Sequence, residues 1–169
     1  MKCDRCGEPT IIKKNQTYQY KESGLTNILL MNIEIRACKS CGYICPRIPN
    51  INGLHDIIAR AILLQPFPLS GKDIRFLRQH MGLKAKHLAS LIRANVETLS
   101  RWESEKQNIG SQSDSLIRFL FIRIIEERMG SLFPENATDK IASIKEKRPR
   151  KVGLSFDMNN PSIYSYECQ

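Results

Sequence analysis

Four of the six cysteines in this 169-residue chain fall in two identical pairs. Cys3 and Cys6 form the first pair, Cys38 and Cys41 form the second, and a glycine follows each pair. Two intervening residues let a tight turn aim both sulfurs at one point, and the glycine supplies backbone without Cβ strain. Four converging thiolates are the ligand set of a tetrahedral zinc ion. The spacing therefore predicts one Zn²⁺ bound by these four cysteines.

Disulfides and a redox dithiol are the alternative interpretations of the same residues. Disulfides are disfavoured in a reducing compartment, and a redox motif is normally a single Cys-x-x-Cys beside a βαβ pattern. No histidine neighbours the pairs and no open position for water is evident, which favours a structural metal over a catalytic one. Cys45 and Cys168 lack a paired spacing, so we interpret both as spare thiols.

The two pairs are separated by 31 residues, which must have structure of their own. The separation exceeds the roughly 15–20 residues of compact zinc motifs. Strands are predicted at 10–14, 17–22 and 28–36, where Ile33 and Ile35 alternate with polar residues. A helix is predicted over 53–64, capped by Asn50 or Asn52, and prolines end it.

A helix-turn-helix pattern follows the prolines. Ser70 and Asp73 make a near capping box, and helices are predicted over 70–81, 84–92 and 96–104. Two short helices, a tight turn and a third helix form this motif, whose third helix lies in the DNA major groove. The fold class is therefore α+β, a small N-terminal zinc-bound β domain followed by an all-α helix-turn-helix domain. The predicted divisions are a zinc-binding domain 1–65, a linker 66–70, a DNA-binding domain 71–130, and a mostly irregular basic tail 131–169.

A last long helix, predicted over 114–129 with Ser113 as its cap, has apolar residues on too many sides for one surface helix. We expect one side to pack inside the domain and the rest against a second copy. A homodimer would present two recognition helices to a palindromic site. In the tail, one short helix is predicted near 138–147, and the basic run 145–151 is either a DNA-contacting arm or a solvated segment.

Charge and hydropathy narrow the function classes. The 26 Lys and Arg residues against 17 Asp and Glu give a formal charge of +9, which permits a nucleic-acid partner. The excess is spread along the chain, so it does not locate a binding face. No apolar run approaches the roughly 20 residues of a membrane span, and the N-terminus has no secretory signal. We expect a cytoplasmic protein with no membrane contact.

The motifs together resemble a known family. The helix-turn-helix is similar to the Xre/Cro type, and with the zinc-binding pairs residues 1–130 resemble the MqsA-type antitoxin family, which has a YgiT-type zinc finger. The segments that carry the likeness are Leu88-Ala89 and Leu99-Ser100-Arg101-Trp102-Glu103. The resemblance implies a structural zinc site at the four cysteines and recognition of bases by Arg101. It also implies a dimer that represses its own operon and neutralises a toxin, an mRNA-cleaving ribonuclease in the best-known case.

Some residues depart from the family pattern. Glu97 stands where the family has a DNA-contacting asparagine, Arg93 replaces a turn glycine, and Ser104-Glu105 replaces Asn-Gly. A carboxylate can accept a hydrogen bond from cytosine but is repelled by phosphate. The chain also continues about 30–40 residues past the usual end of the family. The predicted DNA-binding residues are Val96, Glu97, Ser100 and Arg101 at the bases and Lys84, Lys86 and Arg93 at phosphates.

Two other functions fit the same residues. The chain could be a stand-alone helix-turn-helix regulator without a toxin. It could also be a protein-interaction module, organised by its zinc domain, that has lost specific DNA binding. An enzyme is not predicted, because the sequence has no nucleophile–base pair, carboxylate constellation or phosphate-cradling glycine loop. No catalytic residue is therefore assigned.

Overall fold

The structure, a computed structural model, describes residues 1–130, 133–145, 149, 152–162 and 164–168. It has the α+β fold that the sequence predicts. The strands are β1 Thr10–Gln19, β2 Ile28–Cys38, β3 Ile44–Pro46, β4 Val152–Asp157 and β5 Tyr164–Cys168. The helices are α1 Ile51–Leu64, α2 Gly71–His80, α3 Ala85–Leu91, α4 Val96–Glu103, α5 Ser111–Met129 and α6 Ala137–Ala142. None of these helices has the length and apolar character needed to cross a membrane.

The chain divides into two compact units. Unit 1 comprises Met1–Glu22, Thr26–Leu54 and Lys151–Gln169, and unit 2 comprises Ser23–Leu25 and His55–Arg150. Unit 1 holds the sheet, and unit 2 holds most of α1 and all of α2 to α6. The division falls within α1, whereas the sequence suggested a linker at 66–70.

The sheet of unit 1 is mixed and is built around β2. Its order is β1-β2-β4-β5, with β3 also paired to β2. Strand β1 runs antiparallel to β2 along most of its length. On the other edge of β2, β3 pairs antiparallel near the C-terminal end and β4 pairs parallel near the N-terminal end. Strand β2 therefore pairs with β1, β3 and β4, and β5 joins the sheet through β4.

Irregularities in β1 and β2 explain why the sequence suggested shorter strands. The predicted strand 10–14 and the first part of the predicted strand 17–22 are one strand, whose register shifts between Lys13 and Tyr18. This strand ends at Gln19, and Lys21–Ser23 form a short 3-10 helix. Asn15 has a φ of 53° and Asn32 a φ of 56°, the left-handed backbone that asparagine tolerates better than most residues. The irregularity in β2 moves its buried positions from even to odd numbers, so that Ile33 and Ile35 face the interior.

The C-terminal segment, predicted to be mostly irregular, supplies two strands to this sheet. Val152, Leu154 and Phe156 of β4 are buried, and Phe156 is 0% exposed. Leu154 donates its N–H to the carbonyl of Asn27 at 2.8 Å, and Asn27 Nδ2 donates to the carbonyl of Val152 at 2.7 Å. The helix expected near 138–147 is the shorter α6. The predicted basic run 145–151 lies largely outside the described residues.

In unit 2, residues 66–70 pack inside the helical domain. Phe67 and Leu69 are buried, and so is the whole side chain of Arg118 in α5. Arg118 donates to the carbonyl oxygens of Leu63 and Phe67, at 2.7 Å each, and of Gln65 at 3.1 Å. This guanidinium satisfies carbonyls that the end of α1 leaves without helical partners. The segment that the prolines suggested as a linker is thus held firmly to α5.

The carboxylate of Asp114 completes this buried arrangement. It accepts from Arg118 Nε at 2.6 Å and from the backbone N–H of Leu69 at 2.7 Å. Nearby, Ser70 and Asp73 form the predicted capping box at the start of α2, with bonds of 2.8 and 3.2 Å. Helix α5 begins at Ser111, three residues before the predicted start, with Gly110 at the cap position.

Candidate metal centre and candidate nucleic-acid interface

The four paired cysteines converge on one point in unit 1. Their sulfur atoms all lie within 4.8 Å of one another, without a disulfide. The Sγ atoms of Cys3 and Cys41 are 3.7 Å apart, and those of Cys6 and Cys38 are 3.5 Å apart. Zn–S bonds of about 2.3 Å in a tetrahedron place sulfurs about 3.8 Å apart. The cluster can therefore hold a metal ion, as the spacing predicts.

Both cysteine turns have the same backbone geometry. The glycine N–H bonds to the carbonyl of the first cysteine, Gly7 to Cys3 at 2.9 Å and Gly42 to Cys38 at 3.0 Å. Gly7 and Gly42 have φ values of 78° and 68°, in the left-handed region that favours glycine. Each first cysteine also donates its N–H to a carbonyl five residues further on. The two turns present their sulfurs in equivalent ways.

The hairpin of β1 and β2 brings the two turns together. Cys38, the last residue of β2, is paired with Thr10, the first residue of β1. The chain therefore leaves the first turn along β1 and returns along β2 to the same end of the sheet. This register explains how 31 intervening residues can separate ligands that meet in space.

Backbone N–H donors and hydrogen bonds between the thiols shift the pKa values of two of these cysteines. The backbone N–H groups of Cys41 and Ser40 donate to the sulfur of Cys38 and lower its pKa from 9.0 to about 6. The backbone N–H of Glu8 acts in the same direction on Cys6. Protons shared with Cys38 and Cys41 outweigh it and raise the pKa of Cys6 to about 12. A metal ion that binds four thiolates would displace protons from this cluster.

Cys45 lies apart from the four-sulfur cluster. Its sulfur accepts a hydrogen bond from Arg36 Nη2 at 3.6 Å, and the same nitrogen is 3.2 Å from Asp4 Oδ2. The side chain of Cys168 lies outside the described residues.

Helix α4 presents the predicted base-contacting residues on one exposed side. Leu99 and Trp102 are buried, with Leu99 0% exposed, and their spacing of three residues places them on one side of the helix. A helix turns about 100° per residue, so the remaining residues lie on the opposite side. The exposed residues of that side, called the α4 face below, are Val96, Glu97, Ser100 and Arg101.

Contacts with α2 fix the orientation of α4. Glu103 accepts two hydrogen bonds from Arg78, at 2.6 Å from Nε and 2.9 Å from Nη2. The hydrogen bond with Glu103 raises the pKa of Arg78. At Gly71, a Cβ would overlap the carbonyl oxygen of Trp102, so the helices approach closely there. The pairing of Glu103 with Arg78 is identified only by the structure.

Three predicted phosphate contacts lie near this helix in the chain, and all are exposed. Lys84 is the N-cap residue of α3, and Lys86 is in its first turn. Arg93 lies in the turn before α4 and has a φ of 52°. None of the three forms an ion pair with another described residue. Their charges are available to a partner.

A group of aromatic side chains between α1 and α2 is not apparent in the sequence. His80 Nε2 lies 2.7 Å from Asp56 Oδ1, and the His80 ring stacks on Phe76 at 5.9 Å. The His55 ring meets His80 edge-on at 5.9 Å. Burial and the neighbouring His80 lower the pKa of His55. His87, on α3, is exposed to solvent and is not part of this group.

Comparison with known proteins gives no match. No protein-family model, curated protein or solved structure is similar enough to this chain to be matched to it. The resemblance to the MqsA-type family therefore depends on the motifs quoted from the sequence. The sites described above depend on the geometry of this chain alone.

Proposed function

We propose that this chain is a cytoplasmic, dimeric DNA-binding repressor that acts as the antitoxin of a type II toxin–antitoxin pair. The observation that carries the DNA-binding part is the α4 face, four exposed residues on a helix whose opposite side is buried. A helix held in this way can enter the major groove without rearrangement. Arg101 would form two hydrogen bonds to guanine, while Lys84, Lys86 and Arg93 contact phosphates.

One structural Zn²⁺ is proposed at the four cysteines. The sulfur separations fit a tetrahedral ion, and the ligand set of four thiolates favours zinc and leaves no position for a substrate. A bound zinc ion would link the two cysteine turns at one end of the sheet. This ion would stabilise a unit whose hydrophobic core is small.

Helix α5 supports the proposed homodimer. Leu116 is 46% exposed and Phe119 is 37% exposed, one helical turn apart on the same helix. Exposed apolar residues at this spacing are typical of a surface that another helix covers. Substitution Phe119→Glu should convert a dimer to a monomer in size-exclusion chromatography with light scattering. Thr138→Glu on α6, also exposed, is the matched control, and a wild-type monomer at micromolar concentration would contradict the dimer.

An apolar row on unit 1 supports a protein partner. Ile11, Ala37 and Ile44 are cross-strand neighbours on β1, β2 and β3. Ile11 is 38% exposed and Ile44 is 46% exposed. Exposed apolar rows on a sheet favour protein contact. The resemblance suggests a ribonuclease-like toxin as this partner.

Binding to DNA from the region upstream of the chain's own gene tests the repressor function. Mobility shifts should show affinity falling steeply between 50 and 200 mM salt, because phosphate contacts release counterions. Arg101→Ala should cost about 1–3 kcal/mol of sequence discrimination. Lys140→Ala on α6 removes the same charge and should change little. An affinity insensitive to salt would contradict phosphate-led binding.

Coexpression with the product of the adjacent reading frame tests the antitoxin function. We expect that product to arrest growth alone and to be neutralised by the full chain. Neutralisation should be lost in Ile11→Glu and retained in Arg101→Ala. DNA binding without neutralisation would indicate a stand-alone regulator. Neutralisation without DNA binding would indicate the protein-interaction module.

A further inference from the structure

We infer that Glu97 is a specificity-determining residue that recognises the amino group of cytosine in the major groove. The inference rests on the proposed DNA-binding function. It concerns the one acidic side chain of the α4 face. The phosphate backbone of DNA repels a carboxylate. An acidic residue on a DNA-binding surface must therefore make a favourable contact that offsets this repulsion.

Glu97 and Arg101 are neighbours on that face. They are four residues apart, so they differ by about 40° around the helix and by about 6 Å along its axis. Both side chains are exposed. They can therefore reach into the groove together.

The two side chains remain unpaired despite favourable spacing. On a different helix, α5, two pairs of opposite charge at the same spacing do form ion pairs. Asp114 lies 2.6 Å from Arg118, and Arg123 lies 3.1 Å from Glu127. Glu97 and Arg101 make no ion pair with each other or with another described residue. Their charged groups are therefore free to contact bases.

The chemistry of the carboxylate selects the base. An ionised glutamate only accepts hydrogen bonds. In the major groove the amino groups of cytosine and adenine donate, but the adenine amino group lies beside the acceptor N7, which repels a carboxylate. Cytosine presents its N4 amino group without that neighbour, so it is the preferred contact.

Arg101 completes a preference for G·C base pairs. Its guanidinium matches the two acceptors of guanine, O6 and N7. The separation of about 6 Å along α4 spans at most about two base-pair steps of 3.4 Å. The half-site should therefore contain a cytosine and a guanine on the same or closely neighbouring base pairs.

Glu97 also disfavours incorrect sites. Where no amino group meets the carboxylate, the side chain loses hydration and faces negative phosphates without compensation. Binding to unrelated DNA is then weakened more than binding to the correct site. This repulsive element increases the ratio of specific to non-specific affinity.

Selection from a randomised duplex pool tests the inference. The zinc-loaded full chain, Glu97→Gln and the control Glu105→Gln would each be used; Glu105 is an exposed acid just past α4. The wild type and the control should enrich the same cytosine-containing motif. Glu97→Gln should exchange that cytosine for adenine, because an amide bonds to adenine N6 and N7. The cytosine preference should fall by about 5- to 150-fold, and affinity for unselected DNA should rise.

Two results would overturn the inference, and they are distinguishable. If the wild type and Glu97→Gln enrich the same motif, Glu97 does not select the base, and the repressor function stands. If neither the wild type nor the variants enrich or retain DNA, the repressor function fails and the inference fails with it. Matching thermal melts of wild type and Glu97→Gln would show that any change arises from recognition.

Discussion

Arg78 and Glu103 form an ion pair with two hydrogen bonds that joins α2 to the last turn of α4. The bonds are 2.6 and 2.9 Å long, and the two side chains are only 13% and 9% exposed. Arg78 Nη1 also donates to the carbonyl of Leu83 at 3.1 Å, beyond the end of α2. One guanidinium therefore links α2, the following turn and α4. The orientation of the α4 face depends on this pair.

Glu103→Gln should destabilise unit 2 and weaken DNA binding. The substitution leaves a largely buried guanidinium without its counter-charge, which should lower the free energy of unfolding by about 2–4 kcal/mol. Chemical denaturation followed by circular dichroism would measure this. Glu127→Gln breaks an exposed pair whose side chains are 61–71% exposed, and it should cost less than about 0.5 kcal/mol. Equal effects of the two substitutions would contradict the role of the Arg78 pair.

Removing the metal should unfold unit 1. Chelation leaves two cysteine turns with no ion between them, and amides of β1 and β2 should then lose protection in hydrogen exchange. The metal should also be released as the pH falls, because protons compete for the thiolates. Metal analysis by mass spectrometry should return about one zinc per chain for wild type and for Cys45→Ser. Cys41→Ser should return less, and metal loss in Cys45→Ser would contradict the assigned ligands.

Phe156→Ala should destabilise the sheet of unit 1. The side chain is 0% exposed in β4, so truncation leaves a cavity and should cost about 3–5 kcal/mol. Thermal unfolding of the zinc-loaded protein would show the loss. Ser165→Ala, at an exposed position of β5, serves as the control. An unchanged melting temperature in Phe156→Ala would show that the C-terminal strands are not part of the folded sheet.

Local sequence patterns predict those parts of the fold that depend on residues close together in the sequence. The cysteine spacing, the capping box at Ser70 and the inward positions Leu99 and Trp102 are all of this kind. Val152, Leu154 and Phe156 also alternate, so a strand signal exists in the C-terminal segment. The sequence does not reveal the parallel pairing of β4 with β2, because the two strands are more than 100 residues apart.

Buried charge is the other feature that local patterns miss. Asp114 and Arg118 have the spacing of an exposed helical pair, yet both are buried. Their environment depends on carbonyls of residues 62–67, which the proline-rich sequence suggests are in a linker. The exposure of the α4 face is easier to predict, because it follows directly from helical spacing around two buried residues. Arg78, the partner of Glu103, has no distinguishing sequence signal.

Acidification should destabilise unit 2 through His55. Burial, with a smaller effect from His80, lowers the pKa of His55 below its ordinary 6.5. The unfolded chain then binds a proton more readily than the folded one. The stabilisation is fully present above about pH 6.5 and is lost as the pH falls toward the lowered pKa. His55→Phe should reduce the difference in unfolding free energy between pH 7.5 and 5.5. Exposed His87→Gln should leave it unchanged, and the reverse pattern would contradict this role.

Arg93→Gly should increase the stability of the protein and decrease its affinity for DNA. Arg93 has a φ of 52°, a left-handed conformation that costs a residue with a Cβ about 1 kcal/mol or more. Glycine removes that strain but gains freedom in the unfolded chain. The free energy of unfolding should therefore rise by about 0.5–1 kcal/mol at most. If Arg93 contacts phosphate as proposed, the same substitution should also decrease the slope of log affinity against log salt by about 1.

Arg93→Lys separates the two effects, because it keeps both the charge and the strained backbone. Its stability and salt dependence should match those of the wild type. A glycine variant that is more stable but keeps the full salt slope would show that Arg93 does not contact phosphate. A variant with a reduced slope and unchanged stability would show that the turn is not strained. If both changes occur together, strain at the turn is retained because the side chain it carries binds DNA.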